Sequence, residues 1–170
     1  MPQSQPTADD MRFLQRAVDI SRHALEDEGN TPFGAIVVID GKIVGEGTSS
    51  VVKLHDPTAH AEVMALRAAG EHLGRHIFDD AVMYASSEPC PMCLVASCYW
   101  ARIPRLLYAA TSHDVATHGF EDLQIYRQLT LPAPQRAVDE IAVEGSIKAD
   151  AVAVLKQWSD SLLEPVVPKF

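Results

Sequence analysis

Apolar residues at Met11, Leu14, Val18 and Leu25 recur near the 3.6-residue period of an amphipathic helix and predict one from Asp9 onward. Gly29-Asn30 and Pro32 end it. The period then changes. Ala35-Ile36-Val37-Val38-Ile39 is a short β-branched run closed by Asp40-Gly41, a hairpin dipeptide, and Lys42 to Gly47 is the returning antiparallel strand. Val51 to Pro57 reads as a loop, and either Asp56 or Thr58 caps the next helix. That helix runs from His60 to Leu73, with Val63, Leu66 and Leu73 on its apolar stripe and Gly74 at its end. Ala81 to Ser86 is the third strand. Ser87 to Pro91 turns into a third helix that reaches about Trp100 before Pro104 stops it, and Arg105 to Ala110 is the fourth strand. Two strands joined through a helix imply a parallel pair with a right-handed crossover.

The later pattern is weaker. Residues 114–129 read as one short helix and a loop, and Leu131-Pro132-Ala133-Pro134 breaks the chain. Val138 to Val143 is expected as a fifth strand. Ala151, Leu155, Trp158 and Leu162 mark a C-terminal helix, followed by a tail ending at Phe170. The whole is expected to be one domain over 1–170, with 1–8 loose and 131–170 as a C-terminal segment. No repeat and no second-domain linker interrupt it.

Composition narrows the class. A chain of 170 residues that is 47% hydrophobic and 22% charged is a soluble globular domain with a real core. Its net charge of −9 argues against wrapping a nucleic-acid backbone. No apolar run is long enough for a membrane span, and the polar start does not resemble a secretory leader. Three cysteines, two of them in a C-x-x-C pair, do not make a disulfide framework, so a reducing cytoplasm is expected.

The chemistry is concentrated in His60-Ala61-Glu62 and Pro89-Cys90-Pro91-Met92-Cys93. Cys90 and Cys93 are three apart at a helix start and share a face. His60 sits in the first turn of another helix. One imidazole and two thiolates select zinc over magnesium or calcium. Three protein ligands leave a fourth position for water, whose pKa zinc lowers to about 7. Glu62 is placed to carry protons beside that position. Cys98, the remaining cysteine, is expected in the core.

H-x-E followed by P-C-x-x-C is the signature of the zinc-dependent cytidine and purine deaminases, a worked pattern of base-deamination chemistry. Pro32-Phe33-Gly34-Ala35, Asp56-Pro57-Thr58-Ala59-His60-Ala61-Glu62, Glu88-Pro89-Cys90-Pro91-Met92-Cys93, Tyr99-Trp100-Ala101-Arg102 and Gly119-Phe120 extend the resemblance over roughly Phe33 to Tyr126. They are most similar to the bacterial guanine deaminases of that fold. The resemblance implies a three-layer α/β/α sandwich with a five-stranded mixed sheet, one zinc ion per subunit, and a homodimer that can exchange its C-terminal segments. It implies Asp114 as a second acidic catalytic group, and substrate contacts at Phe33, Ser49, Ala61, Glu88, Trp100 and Phe170. Asp114 also suits a helix cap, and Phe33 and Trp100 also suit a core. Such relatives usually carry an asparagine where this chain has Ser49. A serine cannot present an amide's paired donor and acceptor, so either water fills the gap or the substrate differs.

The expected function is hydrolytic deamination of an amino-substituted heterocycle, guanine or a related purine or aminotriazine, with release of ammonia. The alternatives are a guanosine- or cytidine-type nucleoside deaminase, a tRNA adenosine deaminase, which the acidic charge disfavours, and a zinc-stabilised interaction module, which the retained Glu62 disfavours.

Overall fold

The computed structural model describes residues 5–165; Phe170 lies outside them. Helix α1 spans Ala8–His23. It starts on a reciprocal cap: Thr7 accepts from the Asp10 backbone, and the Asp10 carboxylate accepts from the Thr7 N–H at 2.7 Å. Thr7 therefore has a fixed role inside the stretch expected to be loose.

Strands β1 (Thr31–Ile39) and β2 (Lys42–Ser49) form the anticipated antiparallel hairpin. Asp40 and Gly41 both take positive φ, 48° and 72°, as a two-residue hairpin turn requires. β1 starts four residues before the hydrophobic run. A register shift between Thr31 and Gly34 lets Pro32 sit in the strand without breaking the ladder. Val51–Leu54, expected as loop, forms a single helical turn, α2.

Helix α3 covers Ala61–Leu73 and ends on Gly74 at φ 65°. Its N-cap is His60, so neither Asp56 nor Thr58 fills that role. Asp56 instead closes a local turn onto Thr58, accepting from its N–H at 2.8 Å and its hydroxyl at 2.6 Å. Strand β3 (Val82–Ser87) leads to α4 (Pro91–Leu94), which continues as a π-helix over Val95–Trp100. Strand β4 (Arg105–Ala110) runs parallel to β3, as the helix connection implied.

Among the described residues the sheet has four strands in the order β2-β1-β3-β4, not the five expected. Residues 138–143 carry no strand; Val138, Ile141 and Val143 are exposed and their spacing does not alternate cleanly with the charged residues between them. The mixed region after β4 holds two short helices, α5 (Ser112–Thr117) and α6 (Asp122–Thr130), separated by Gly119 at φ 89°.

Period-2 alternation builds two core layers around the sheet. Ile36, Val38 and Tyr84 point toward Phe13 and Ala17 of α1. Ala35, Val37, Met83 and Ala85 point the other way, toward Ala61, Ala65 and Ala69 of α3. Gly47 allows α3 to lie directly on β2, because a Cβ there would overlap the Ala61 carbonyl and the Ala65 N–H. That close approach seats the start of α3, which carries Ala61 and Glu62, against β2.

The described chain divides into two compact units, the first ending at Thr130 and the second beginning at Leu131. In the second, an Arg136–Glu140 ion pair precedes helix α7, Ser146–Asp160, the expected C-terminal helix. Among the described residues no helix is long and apolar enough to cross a membrane.

Candidate active site

Two chain reversals carry the chemistry. His60 caps α3 with extended backbone, and Cys90 caps α4 in the same way, with Pro91 at the first helical position. These caps bring the Cys90 Sγ to 3.6 Å from the His60 Nδ1. Cys93 follows on the first turn of α4 and is fully buried. The donor atoms of His60, Cys90 and Cys93 all lie within 4.8 Å of one another. Among the described residues no further His, Cys, Asp or Glu joins that cluster. A compact imidazole-and-two-thiol set with no fourth protein donor fits a zinc ion that keeps an open coordination position.

The electrostatics match this donor set. The Cys93 thiol and the His60 ring both hydrogen-bond the Cys90 sulfur and hold its pKa well below the ordinary thiol value. The same contact pushes Cys93 up, because its proton is shared with a neighbouring thiolate. His60 is raised by its Cys90 partner more than burial lowers it. A divalent ion held by this cluster would favour the thiolate form of both sulfurs. Glu62 is 6% exposed, and burial pushes its carboxyl up from the ordinary 4.5.

Beside this cluster lies a cavity of about 200 Å³. Its walls include His60, Ala61, Glu62 and Cys90, with the aromatic faces of Phe33 and Phe120. Those two rings meet edge to face at 4.8 Å between centroids. The Tyr126 hydroxyl donates to the Pro89 carbonyl at 2.8 Å and ties α6 to the loop that bears Cys90.

The family described as cytidine and deoxycytidylate deaminase, zinc-binding region, matches residues 7–110. The chain belongs to this family. Among known proteins, a guanine deaminase of Bacillus subtilis is 46% identical over 126 residues, covering 74% of this chain and 80% of that one. A crystal structure of guanine deaminase from the same organism superposes with a TM-score of 0.84 at 38% identity, covering 92% of this chain and 97% of that one. A tRNA-specific adenosine deaminase of Buchnera aphidicola is 39% identical over 111 residues, 65% of this chain and 72% of its own length. Zinc is the metal of this deaminase domain, and His60, Cys90 and Cys93 form the cluster in this chain able to hold it.

Of the substrate contacts expected in this deaminase, the fold brings Phe33, Ser49, Ala61 and Glu88 to the cavity. Glu88 is already engaged, accepting from the Ser112 N–H at 2.7 Å, so it braces the start of α5. Trp100 is not brought there; it ends the π-helical stretch, 76% exposed. Asp114, at the third position of α5, closes the capping box on its N-cap Thr111, accepting from the Thr111 N–H at 2.8 Å and hydroxyl at 2.6 Å. It lines an adjoining cavity of about 320 Å³ that shares Phe33, Ser87 and Phe120 with the first.

The sequence reading missed Thr31, Ser87 and Asp122 as cavity residues. Thr31 could have been found by pairing the strands, since it faces Ser49 across the hairpin. Asp122 gave no local signal. It arrives from α6, and burial next to the Cys90 sulfur raises its carboxyl.

Proposed function

We propose that this deaminase removes the amino group of a free purine-type base, guanine or a closely related aminoheterocycle such as an aminotriazine, by hydrolysis, releasing ammonia. The carrying observation is the cavity itself. At about 200 Å³ it is smaller than pockets that take drug-sized ligands, roughly 300–1,000 Å³, and it is walled by aromatic rings beside a buried carboxylate. A single flat heterocycle suits that space. A net charge of −9 opposes a polynucleotide substrate.

In this reading His60, Cys90 and Cys93 hold the zinc, which when bound supplies Lewis-acid activation of water at neutral pH. Glu62 carries the proton. Its carboxylate takes one from the attacking water, gives it to the ring nitrogen beside the reacting carbon, and then serves the departing amine. Its raised pKa suits both directions of transfer. Phe33 and Phe120 hold the ring by edge and face contacts, and Ala61 leaves room for it above the donor cluster. Asp114, across the aromatic pair, is the second acidic group of this reading.

The test is ammonia release from zinc-loaded protein offered guanine, an aminotriazine, adenine, cytosine, guanosine, cytidine and tRNA. Guanine, adenine or the aminotriazine should give the highest kcat/KM; preference for cytosine, release from tRNA alone, or release from nothing in the panel would overturn the assignment. The adjoining cavity favours one second reading, a nucleoside substrate whose sugar extends past Phe33. Guanosine turning over faster than guanine would support it.

We further propose a cytoplasmic homodimer that exchanges residues 131–170. Three free thiols suit a reducing compartment. Helix α7 leaves Ile147, Leu155 and Trp158 exposed, and the π-helical stretch leaves Val95 and Trp100 exposed, apolar side chains that a second subunit would cover. Sedimentation at micromolar concentration should give twice the chain mass; a monomer there would count against this.

A further inference from the structure

Helix α6 supplies part of the cavity wall without belonging to either core. It has no buried residue, and none of its side chains joins the two core clusters. It follows Gly119 at φ 89°, and its first residue, Asp122, lines the cavity with His60 and Cys90. A helix with so little buried apolar surface opens more readily than the core beside it. Whatever tethers α6 therefore decides how well that wall is formed.

One tether ends on the metal loop. The Tyr126 hydroxyl donates to the Pro89 carbonyl at 2.8 Å, and Pro89 is fully buried. Tyr126 lies one helical turn after Asp122, so the two leave the same face of α6. The Pro89 carbonyl and the Cys90 nitrogen belong to one planar peptide unit. A bond that holds this oxygen also holds the start of Cys90, whose sulfur lies 3.6 Å from the His60 Nδ1. The preceding residue is braced from another direction: the Glu88 N–H donates to the Ala110 carbonyl at 2.7 Å, and the Glu88 carboxylate accepts from the Ser112 N–H. Tyr126 adds a brace from α6, next to the metal donor itself.

We propose that Tyr126 is a positioning residue that latches α6 to the metal loop, so that a metal held by His60, Cys90 and Cys93 and a closed α6 wall stabilise one another. Such coupling is reciprocal: the factor by which the closed wall raises metal affinity is the factor by which the metal favours closure. The inference rests on the donor cluster and not on which base the enzyme accepts.

The test pairs backbone hydrogen exchange over residues 122–130 with zinc affinity, measured by competition against a chromophoric chelator. In the wild type, zinc should slow exchange over this stretch about tenfold, the low end of what partners of metal ligands contribute. Tyr126→Phe removes one oxygen and keeps the ring. It should weaken zinc binding about tenfold, and saturating zinc should then slow exchange over 122–130 by less than about twofold. The start of α3, next to His60, should still be protected by zinc in the variant, which shows that the metal is bound.

Zinc affinity within about twofold of wild type overturns the latch. So does exchange over 122–130 that zinc slows equally in both proteins, since Tyr126 would then act on the loop alone. Should the variant not fold, the wild type decides: protection by zinc that reaches α3 but not 122–130 overturns the coupling, and protection that includes 122–130 sustains it. Neither readout needs turnover, so the latch stands or falls apart from the substrate assignment.

Discussion

Replacing Glu62 with glutamine is expected to lower kcat for ammonia release by about a thousandfold, within the range a positioned proton carrier supplies, while zinc content stays at one ion per chain. The substitution keeps the shape of a side chain that is 6% exposed and removes only its ability to exchange a proton. His60, Cys90 and Cys93 are untouched, so the metal has no reason to leave. The same change carries a stability signature. Burial raises the Glu62 pKa, so its ionised form is disfavoured in the fold, and the penalty grows as pH rises through the unfolded value. Metal-free Glu62→Gln protein should therefore melt no lower than metal-free wild type at neutral pH. Activity within tenfold of wild type, or loss of zinc, would remove Glu62 from the proposed role.

Replacing Asp10 with alanine is expected to cost about 3 kcal/mol of stability, because it strands an ion-pair partner and a buried hydroxyl at once. The Asp10 carboxylate, 4% exposed, accepts from Arg105 at 2.8 and 2.9 Å, from the Tyr84 hydroxyl at 2.6 Å, and from the Thr7 N–H and hydroxyl at 2.7 and 2.9 Å. One group thereby joins the start of α1 to β3 and β4. For a chain of this size the melting temperature should fall by about 6–12 °C.

The pH dependence follows from the same contacts. Arg105 above all, then the Thr7 and Tyr84 hydrogen bonds, hold the Asp10 pKa well below its ordinary 3.8. The stabilisation is fully present above that unfolded value and is lost as pH falls toward the folded one. The gap between wild type and Asp10→Ala in melting temperature should therefore be constant from about pH 7 to pH 5 and shrink below about pH 4. A gap that does not narrow in acid would mean that packing around residue 10, not its charge, carries the effect.

The Asp10 network shows where reading along the chain stops being informative. Nothing near Asp10 announces a partner 95 residues away, and a carboxylate three places after Thr7 looks like a cap and no more. Asp114 shows the converse. Its capping geometry was legible from its residue type, whereas its place in the adjoining cavity depends on how α5 meets Phe33 and Phe120. The expected fifth strand failed because a strand exists only where another backbone completes its hydrogen bonds, and 138–143 lacks one among the described residues.

By itself the sequence determined what local chemistry can determine. The period of its apolar residues set the four strands and the principal helices, Asp40-Gly41 set the hairpin, and the spacing of His60, Glu62, Cys90 and Cys93 set a metal-donor triad with a carboxylate beside it. Those features depend on neighbours within a few residues, so the order of residues contains them. Only the tertiary structure decided that Phe120, Asp122 and Thr31 enclose the cavity, that Trp100 lies outside it, and that Ser49 answers to a hydroxyl across the hairpin. These depend on distances between segments far apart in the chain, which packing around Gly47 and the register of β1 on β2 fix together.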